Sequence, residues 1–128
     1  MTTHSPSKTN VLITGCSTGI GYQCAKHLQS LGYQVIATCR KQEDVRRLND
    51  EGLTCLQLDL ADSQSIKSGL HQVLLETQGK IDLLFNNGAF GLPGAVEDLS
   101  REAMEYQFQT NVFGTQELTN LVVPIMCK

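Results

Sequence analysis

The sequence predicts an α/β protein built on one open, parallel sheet of about four strands, with helices on both faces. Short apolar runs rich in β-branched residues alternate with longer segments of helical period, which is typical of β-α-β units. The chain has 128 residues, of which 41% are hydrophobic, so it suits one compact domain and is too short for two. We therefore predict a flexible polar leader over residues 1–10 and a single domain over residues 11–128.

The first predicted unit is a buried strand over residues 11–14 that ends at Gly15, followed by a helix from about Gly19. Gly32 supplies a stop for this helix. The apolar residues that recur at helical spacing along it are Ile20, Cys24, Leu28 and Leu31.

The remaining strands are predicted over residues 34–38, 53–58 and 81–85. The last of these is nearly all apolar, as expected of a strand that is covered on both faces. Between the strands we predict a short polar helix around Val45 and Leu48, and a second helix that is capped by Asp62 and ends near Gly79. A glycine-rich loop over residues 86–94 precedes a final helix from about Ser100, with apolar positions at Met104, Phe108, Val112, Leu118 and Val122.

Composition argues against several classes of function. The formal net charge is −3 and basic residues cluster only in short pairs, so neither nucleic acid nor an anionic membrane is an expected partner. No run approaches the length of a transmembrane helix and the N-terminus lacks the apolar stretch of a secretory signal, so we expect a cytoplasmic protein. Five cysteines without a C-x-x-C pair predict reduced, mostly buried thiols, and no metal site is expected.

Residues 13–23, ITGCSTGIGYQ, contain two overlapping motifs. From Gly15 to Gly19 the sequence is G-x-S-x-G, which in hydrolases exposes a nucleophilic serine, here Ser17. That chemistry also needs a carboxylate and then a histidine later in the chain. The downstream histidines, His27 and His71, both fall inside predicted helices, so a serine hydrolase is the remote alternative.

The same stretch is also a glycine-rich loop directly between a strand and a helix. Gly15, Gly19 and Gly21 omit side chains where the backbone must turn and approach a diphosphate, and the free N–H groups of the next helix point at the anion. Ser17 and Thr18 add hydroxyl donors. This position favours a Rossmann-like dinucleotide-binding domain over a plain tight turn.

The end of the second strand bears on the choice of cofactor. It contains Thr38, Cys39, Arg40 and Lys41, with no carboxylate before Glu43. An acidic residue here would bind a ribose 2′-hydroxyl, whereas an arginine suits a 2′-phosphate. Arg40 therefore favours NADP over NAD, the alternative being a solvated basic start to the next helix.

With these residues in place, the sequence resembles the short-chain dehydrogenase/reductase family. The pattern Thr14-Gly15-x-x-x-Gly19-x-Gly21 matches the TGxxxGxG cofactor motif of that family. Asp59 matches its adenine-contacting aspartate, and Asn111 matches its catalytic-helix asparagine. Residues 86–89, Asn-Asn-Gly-Ala, are similar to its NNAG segment with the last two residues exchanged.

The resemblance implies a role for each motif. Asp59 would accept a hydrogen bond from the adenine amino group and Leu60 would back the ring. Asn86 or Asn87 would tie neighbouring strands, and Asn111 would hold a water in the proton relay. The predicted cofactor-binding residues are Gly15, Ser17, Thr18, Gly19, Ile20, Gly21, Arg40, Asp59, Leu60, Asn87, Gly88 and Ala89, and the predicted catalytic residue is Asn111.

Members of the family also carry a catalytic serine on a fifth strand and a Tyr-x-x-x-Lys pair on the following helix. Tyr22 and Lys26 match that pair by letter, but they lie in the first helix, far from where the substrate side is built, so we interpret the match as chance. Without a fifth strand, the fourth would expose an apolar edge, which predicts self-association.

The leading hypothesis is an NADP-dependent oxidoreductase, represented by its cofactor-binding half and similar to members that act on small lipophilic alcohols and carbonyl compounds. The alternatives are an inactive nucleotide-binding or interaction protein, and the serine hydrolase.

Overall fold

The computed structural model describes residues 8–128 and confirms the predicted α/β architecture. Four parallel strands form one sheet in the order β3-β2-β1-β4. The strands are β1 (Asn10–Ile13), β2 (Gln34–Cys39), β3 (Thr54–Gln57) and β4 (Leu83–Phe85). The helices are α1 (Gly19–Ser30), α2 (Gln42–Asp50), α3 (Ser63–Glu76), α4 (Arg101–Phe108) and α5 (Thr115–Met126). Among the described residues, no helix is long and apolar enough to cross a membrane.

The interior strands β1 and β2 are buried on both faces, which explains why most of their residues are apolar. Because side chains alternate along a strand, Val11 and Ile13 point to one core cluster and Leu12 points to the other. The first cluster includes residues of α1 and α2, and the second includes residues of α3 and α5. The layers are therefore helix, sheet and helix.

The predicted boundary between leader and domain is one residue late. Asn10 belongs to β1 and is only 6% exposed, and its backbone N–H donates to the Asp82 carboxylate at 2.7 Å. The strand begins there because this residue already pairs with Gln34 of β2. Residues 1–7 of the predicted leader lie outside the described residues.

The predicted apolar side of α1 is wrong at its two ends. Ile20 is 70% exposed and Leu31 is 61% exposed, whereas the buried positions are Gly21 and Ala25. The helix meets the preceding loop so closely that a Cβ on Gly21 would lie 2.4 Å from the Gly15 carbonyl oxygen. Small residues therefore face the core, and the larger apolar ones at the ends do not.

The cap of α3 is as predicted. Asp62 accepts hydrogen bonds from the backbone N–H groups of Gln64 and Ser65, at 3.0 and 3.4 Å, which satisfies donors that the helix itself leaves free. Ile66 and Val73 are fully buried on its inner face.

The final helix is interrupted. A π-helical segment, Gln109–Gly114, separates α4 from α5. Of the apolar positions predicted along it, Leu118 and Val122 are buried, whereas Met104, Phe108 and Val112 are 43 to 48% exposed. The wider turn changes which face points inward, so one helical period does not describe the whole segment.

Candidate cofactor-binding site

A cleft of about 380 Å³ opens at the carboxyl ends of the strands, where ligands bind in open α/β sheets. Its walls come from the β1–α1 loop, the ends of β2 and β3, the loop after β4, and α4 with the π-helical segment. The predicted residues that line it are Gly15, Ser17, Arg40, Asp59, Leu60, Gly88 and Ala89. The other predicted site residues, which do not line it, are Thr18, Gly19, Ile20, Gly21, Asn87 and Asn111.

The β1–α1 loop requires glycine for two different reasons. Gly15 and Gly19 have φ angles of +69° and +65°, in the left-handed region that L-residues with side chains rarely adopt. Gly21 is required by close packing, because its Cβ would also fall 2.5 Å from the Asn87 side-chain amide. The loop is thus a backbone cradle that any larger residue at these positions would deform.

Thr14 and Asn87 join the end of β1 to the loop after β4. The buried Thr14 hydroxyl accepts from the backbone N–H groups of Asn87 and Gly88, at 3.1 and 2.8 Å. In return, the Asn87 amide donates to the carbonyl oxygens of Thr14 and Gly15, at 3.2 and 3.1 Å. These bonds hold the two loops that flank the cleft in a fixed relation.

Thr18 and Ile20 lie at the N-terminal end of α1. Thr18 is the N-cap residue, but its side chain caps no N–H group, and the first turn contains no acidic residue. Ile20 extends outward and is 70% exposed. The helix therefore starts without a protein anion among the residues of its own first turn.

Arg40 is exposed at the rim of the cleft. Its Nη1 donates to the Tyr106 hydroxyl on α4 at 2.5 Å. Tyr106 in turn packs against Phe90, with ring centroids 5.3 Å apart and planes tilted by 36°. Within residues 8–128 Arg40 has no ion-pair partner, so its positive charge faces the cleft uncompensated by a contacting carboxylate.

Asp59 follows β3 and is half-buried in the cleft wall. Its Oδ1 accepts from the Ala61 backbone N–H at 2.9 Å, and its own N–H donates to the Ser65 hydroxyl at 2.8 Å. The first bond orients the carboxyl group and the second fixes the backbone of Asp59, and Leu60 lies beside it in the lining.

Asn111 lies inside the π-helical segment and binds the glycine-rich loop. Its Oδ1 accepts from the Phe90 N–H at 3.1 Å, and its Nδ2 donates to the Phe90 carbonyl oxygen at 2.8 Å. The side chain therefore pairs with both backbone groups of one residue, as a neighbouring strand would. In this structure it positions the loop over residues 86–94.

The cleft also contains residues that the sequence interpretation did not assign to it: Cys39, Leu58, Phe90, Tyr106 and Thr110. Cys39 and Leu58 follow from the rule that ligands lie beyond the carboxyl ends of strands, which could have identified them. Tyr106 and Thr110 are four residues apart and share a helix face. No local signal shows which face of that helix turns to the cleft.

Three cysteines are buried, Cys16, Cys39 and Cys55, and Cys39 also lines the cleft. Burial raises the pKa of Cys16 to about 12. The Sγ atoms of Cys39 and Cys55 are 3.6 Å apart; their hydrogen bond lowers the pKa of Cys39 and, together with burial, raises that of Cys55. Cys16 and Cys55 therefore remain neutral thiols and behave as small apolar residues.

Tyr22 and Lys26 lie away from the cleft lining and contact Glu51. The Tyr22 hydroxyl donates to the Glu51 carboxylate at 2.6 Å, and the Lys26 ammonium lies 3.3 Å from it. These contacts clamp α1 to the end of α2. Arg47 of α2 also donates to the Ser17 carbonyl oxygen at 2.6 Å, which links this clamp to the β1–α1 loop. The letter match to Tyr-x-x-x-Lys is thus a contact between α1 and the end of α2.

The geometry gives no support to a serine hydrolase. Ser17 makes no hydrogen bond to a histidine within the described part of the chain. His27 and His71 are both exposed, on α1 and α3. A serine without a base within reach is not an activated nucleophile.

A glycine-rich turn between the central strand and its helix, beneath a cleft at the carboxyl edge of a parallel sheet, defines a Rossmann-like protein. Sequence comparison then gives the family. The profile described as short chain dehydrogenase matches residues 9–128, and the chain belongs to this family.

Curated relatives include oxidoreductases of bacteria and animals. The chain is 41% identical over 117 residues to the uncharacterized oxidoreductase YbbO of Escherichia coli strain K12, covering 91% of this chain and 44% of that protein. It is 40% identical over 126 residues to human retinol dehydrogenase 8, covering 91% of this chain and 39% of that protein. The chain thus spans less than half the length of these relatives.

Solved structures agree with the fold. A short-chain dehydrogenase from Streptomyces avermitilis superposes with a TM-score of 0.87 at 30% identity, covering 95% of this chain and 46% of that one. An actinorhodin polyketide ketoreductase variant solved with NADPH has a TM-score of 0.82 at 26% identity, covering 93% and 48%. A 3-ketoacyl-(acyl-carrier-protein) reductase from Brucella melitensis, complexed with NADH, has a TM-score of 0.80 at 25% identity, covering 91% and 49%. The family therefore uses nicotinamide cofactors of both kinds.

Proposed function

We propose that this chain binds NADP(H), in preference to NAD(H), as the cofactor-binding part of an oxidoreductase that interconverts alcohols and carbonyl compounds. The observation that carries the proposal is the position of Arg40, a cation without an ion-pair partner among residues 8–128, on the rim of a cleft floored by a glycine cradle.

The cradle fits a diphosphate. Gly15 and Gly88 line the cleft with backbone alone, and they also let the two loops pack closely, because a Cβ on Gly15 would fall 2.8 Å from the Gly88 Cα and one on Gly88 would fall 2.6 Å from Leu60 Cδ1. The uncapped start of α1 adds free N–H groups and a partial positive charge at the same end of the loop. Ser17 contributes its hydroxyl from the cleft lining.

Arg40 supports the preference for a 2′-phosphate. Arg40 directly follows the last residue of β2, and dinucleotide-binding folds contact the adenosine ribose at this point. A guanidinium forms strong, charge-assisted hydrogen bonds with a phosphate dianion, whereas a carboxylate would repel it. Asp59 is the carboxylate in the cleft lining, and it follows β3, where we assign it to the adenine with Leu60 behind the ring.

The bound cofactor would supply the hydride, and this chain's residues would hold and orient it. Asn111 positions the loop over residues 86–94 through Phe90, which brings Gly88 and Ala89 to the cleft. Within residues 8–128 the Asn111 amide donates only one of its two N–H groups, which is compatible with the predicted role in holding a water. The tyrosine and lysine of the catalytic pair are not assigned to Tyr22 and Lys26, because Glu51 engages both.

The family and its relatives support a proposal for the substrate class. The loop Phe90-Gly91-Leu92-Pro93 is apolar, and the similarity to a retinol dehydrogenase supports a lipophilic alcohol or carbonyl compound as the substrate of the whole protein. The second candidate is an inactive nucleotide-binding protein, since the part of the cleft formed by residues 8–128 is lined by groups assigned to cofactor binding and by no assigned proton donor.

Calorimetric titration of the purified chain with NADPH and with NADH tests the proposal. We expect NADPH to bind at least about tenfold more tightly, and Arg40→Asp to abolish this preference. Arg46→Asp is the matched control, because Arg46 carries the same charge on α2 but is not among the residues that line the cleft.

An unchanged preference in Arg40→Asp would refute the phosphate role, and no binding of either cofactor would refute the function. A carbonyl-reduction assay on the same samples tests the second candidate. Turnover would refute an inactive nucleotide-binding protein, whereas binding without turnover agrees with both candidates, because the proposal assigns only cofactor binding to this chain.

A further inference from the structure

One polar contact crosses the rim of the cleft between elements that are distant in the chain. The Arg40 guanidinium, just after β2, donates to the Tyr106 hydroxyl on α4 across a separation of 66 residues at 2.5 Å. Both side chains are exposed and both line the cleft. The contact therefore lies where a ligand in the cleft would meet it.

The Tyr106 hydroxyl is held in place by its surroundings. The Tyr106 ring packs on Phe90 at a centroid distance of 5.3 Å. Phe90 is in turn fixed by the two hydrogen bonds of its backbone to the Asn111 side chain. An exposed arginine alone would sample many rotamers, but this hydroxyl restricts the guanidinium to one region of the rim.

The chemistry of the pair suits an anion with several oxygen atoms. The hydroxyl occupies one of the five N–H donors of Arg40 and leaves the others free. Within the described residues the Tyr106 hydroxyl donates to no acceptor, so its own proton remains available. Since the neighbouring cation polarises the phenol, this proton would form a strong hydrogen bond with a phosphate oxygen.

We propose that Tyr106 is a specificity-determining residue for a phosphate on the ribose 2′-hydroxyl, which it recognises by holding Arg40 in position and donating its own proton. The proposal rests on the proposed binding of NADP(H) and adds a second group to its recognition. Tyr106 acts on the 2′-phosphate alone and makes no contribution to binding an unphosphorylated ribose.

The test uses two ligands that differ only in this phosphate, adenosine 2′,5′-bisphosphate and adenosine 5′-monophosphate. Their dissociation constants are measured by calorimetry with the unmodified chain and with Tyr106→Phe, which keeps the ring and removes the hydroxyl. We expect this change to weaken the bisphosphate by about tenfold and to leave the monophosphate within about twofold. Tyr33→Phe, the same change at a half-buried tyrosine that packs on the core instead, leaves both ligands unaffected.

A double-variant cycle separates this role from a purely structural one. In an Arg40→Gln background, Tyr106→Phe should cost less affinity for the bisphosphate than it does in the unmodified chain, because the guanidinium it positions is gone. Near-ultraviolet circular dichroism and thermal melting without ligand verify that each variant folds.

The outcomes distinguish this inference from the proposed function. If the unmodified chain prefers the bisphosphate and Arg40→Gln loses that preference while Tyr106→Phe keeps it, the role of Tyr106 is overturned and NADP(H) binding stands. Tighter binding of the bisphosphate by Tyr106→Phe would also overturn it, because the hydroxyl would then compete with the phosphate for Arg40. Equal affinity of the unmodified chain for both ligands would overturn the preference for NADP(H), and this inference with it.

Discussion

Replacing Gly114 by alanine tests how the interrupted helix packs against the cleft wall. Gly114 is buried and ends the π-helical segment, directly against the backbone of Leu60. A Cβ at this position would lie 1.9 Å from the Leu60 carbonyl oxygen and 2.7 Å from its carbonyl carbon. The obstructing atoms belong to the backbone, so no side-chain rotation relieves the clash.

Two opposing contributions decide the size of the effect. Alanine is favoured over glycine inside a helix by about 1 kcal/mol. Against this, the helix must retreat by about 1.5 Å before the new Cβ reaches the 3.4 Å of an ordinary contact with the Leu60 oxygen. Overpacking typically costs about 1–3 kcal/mol, and the upper part of this range, about 2–3 kcal/mol, applies here because the obstacle is backbone and the displaced helix also carries Leu118 and Val122 of the core. We expect Gly114→Ala to lower the free energy of unfolding by about 1–2 kcal/mol.

Urea unfolding followed by far-ultraviolet circular dichroism measures this change as a shift in the transition midpoint at constant slope. Gly91→Ala is the matched control, because a Cβ on Gly91 would meet nothing within 4 Å, and it should stay within about 0.5 kcal/mol of the unmodified chain. A Gly114→Ala chain that is as stable as the unmodified one would show that α5 does not pack on Leu60 as described.

Two further predictions concern two separate regions: the contacts of Glu51 with α1, and the exposed edge strand β4. The hydrogen bond from Tyr22, with the Lys26 ammonium, lowers the pKa of Glu51, so its contribution to stability is present above the ordinary carboxyl pKa of about 4.3 and is lost as the pH falls through the lower folded value. The gap in Tm between the unmodified chain and Glu51→Gln should therefore close in acid; a gap that is constant with pH would contradict the assignment. Because Leu83 and Phe85 on the edge strand β4 are 47% and 36% exposed, we expect self-association at micromolar concentration that Leu83→Lys reduces. A compact monomer in sedimentation velocity would refute this expectation.

Local chemistry made much of the fold predictable. The alternation of apolar runs with helical periods gave the order of strands and helices, because burial on both faces of a parallel sheet demands apolar strands. Asp62 was recognisable as a cap since its side chain bonds to residues only two and three positions away. The positive φ angles of Gly15 and Gly19 are likewise properties of the turn itself.

The parts that were mispredicted depend on which surfaces meet. Gly21 is buried because the backbone of the β1–α1 loop lies against it, and Ala25 is buried because it packs in the core, whereas helical spacing alone indicated Ile20 and Leu31. The π-helical segment was also missed, and Gly114 at its end packs against the backbone of Leu60, which is distant in the chain. A period read from the sequence describes one helix and carries no information about its neighbour.

The sequence by itself determined the class of fold, the glycine cradle and the charge of Arg40, because each depends on residue type and short spacing. Only the tertiary structure decided that Arg40 meets Tyr106 and that Asn111 binds Phe90, across separations of 66 and 21 residues. It also showed that the side chains of Tyr22 and Lys26 bind the Glu51 carboxylate. Contacts of this kind are set by the packing of whole helices on the sheet, which minimises exposed apolar surface over the entire domain and leaves no mark in the local pattern.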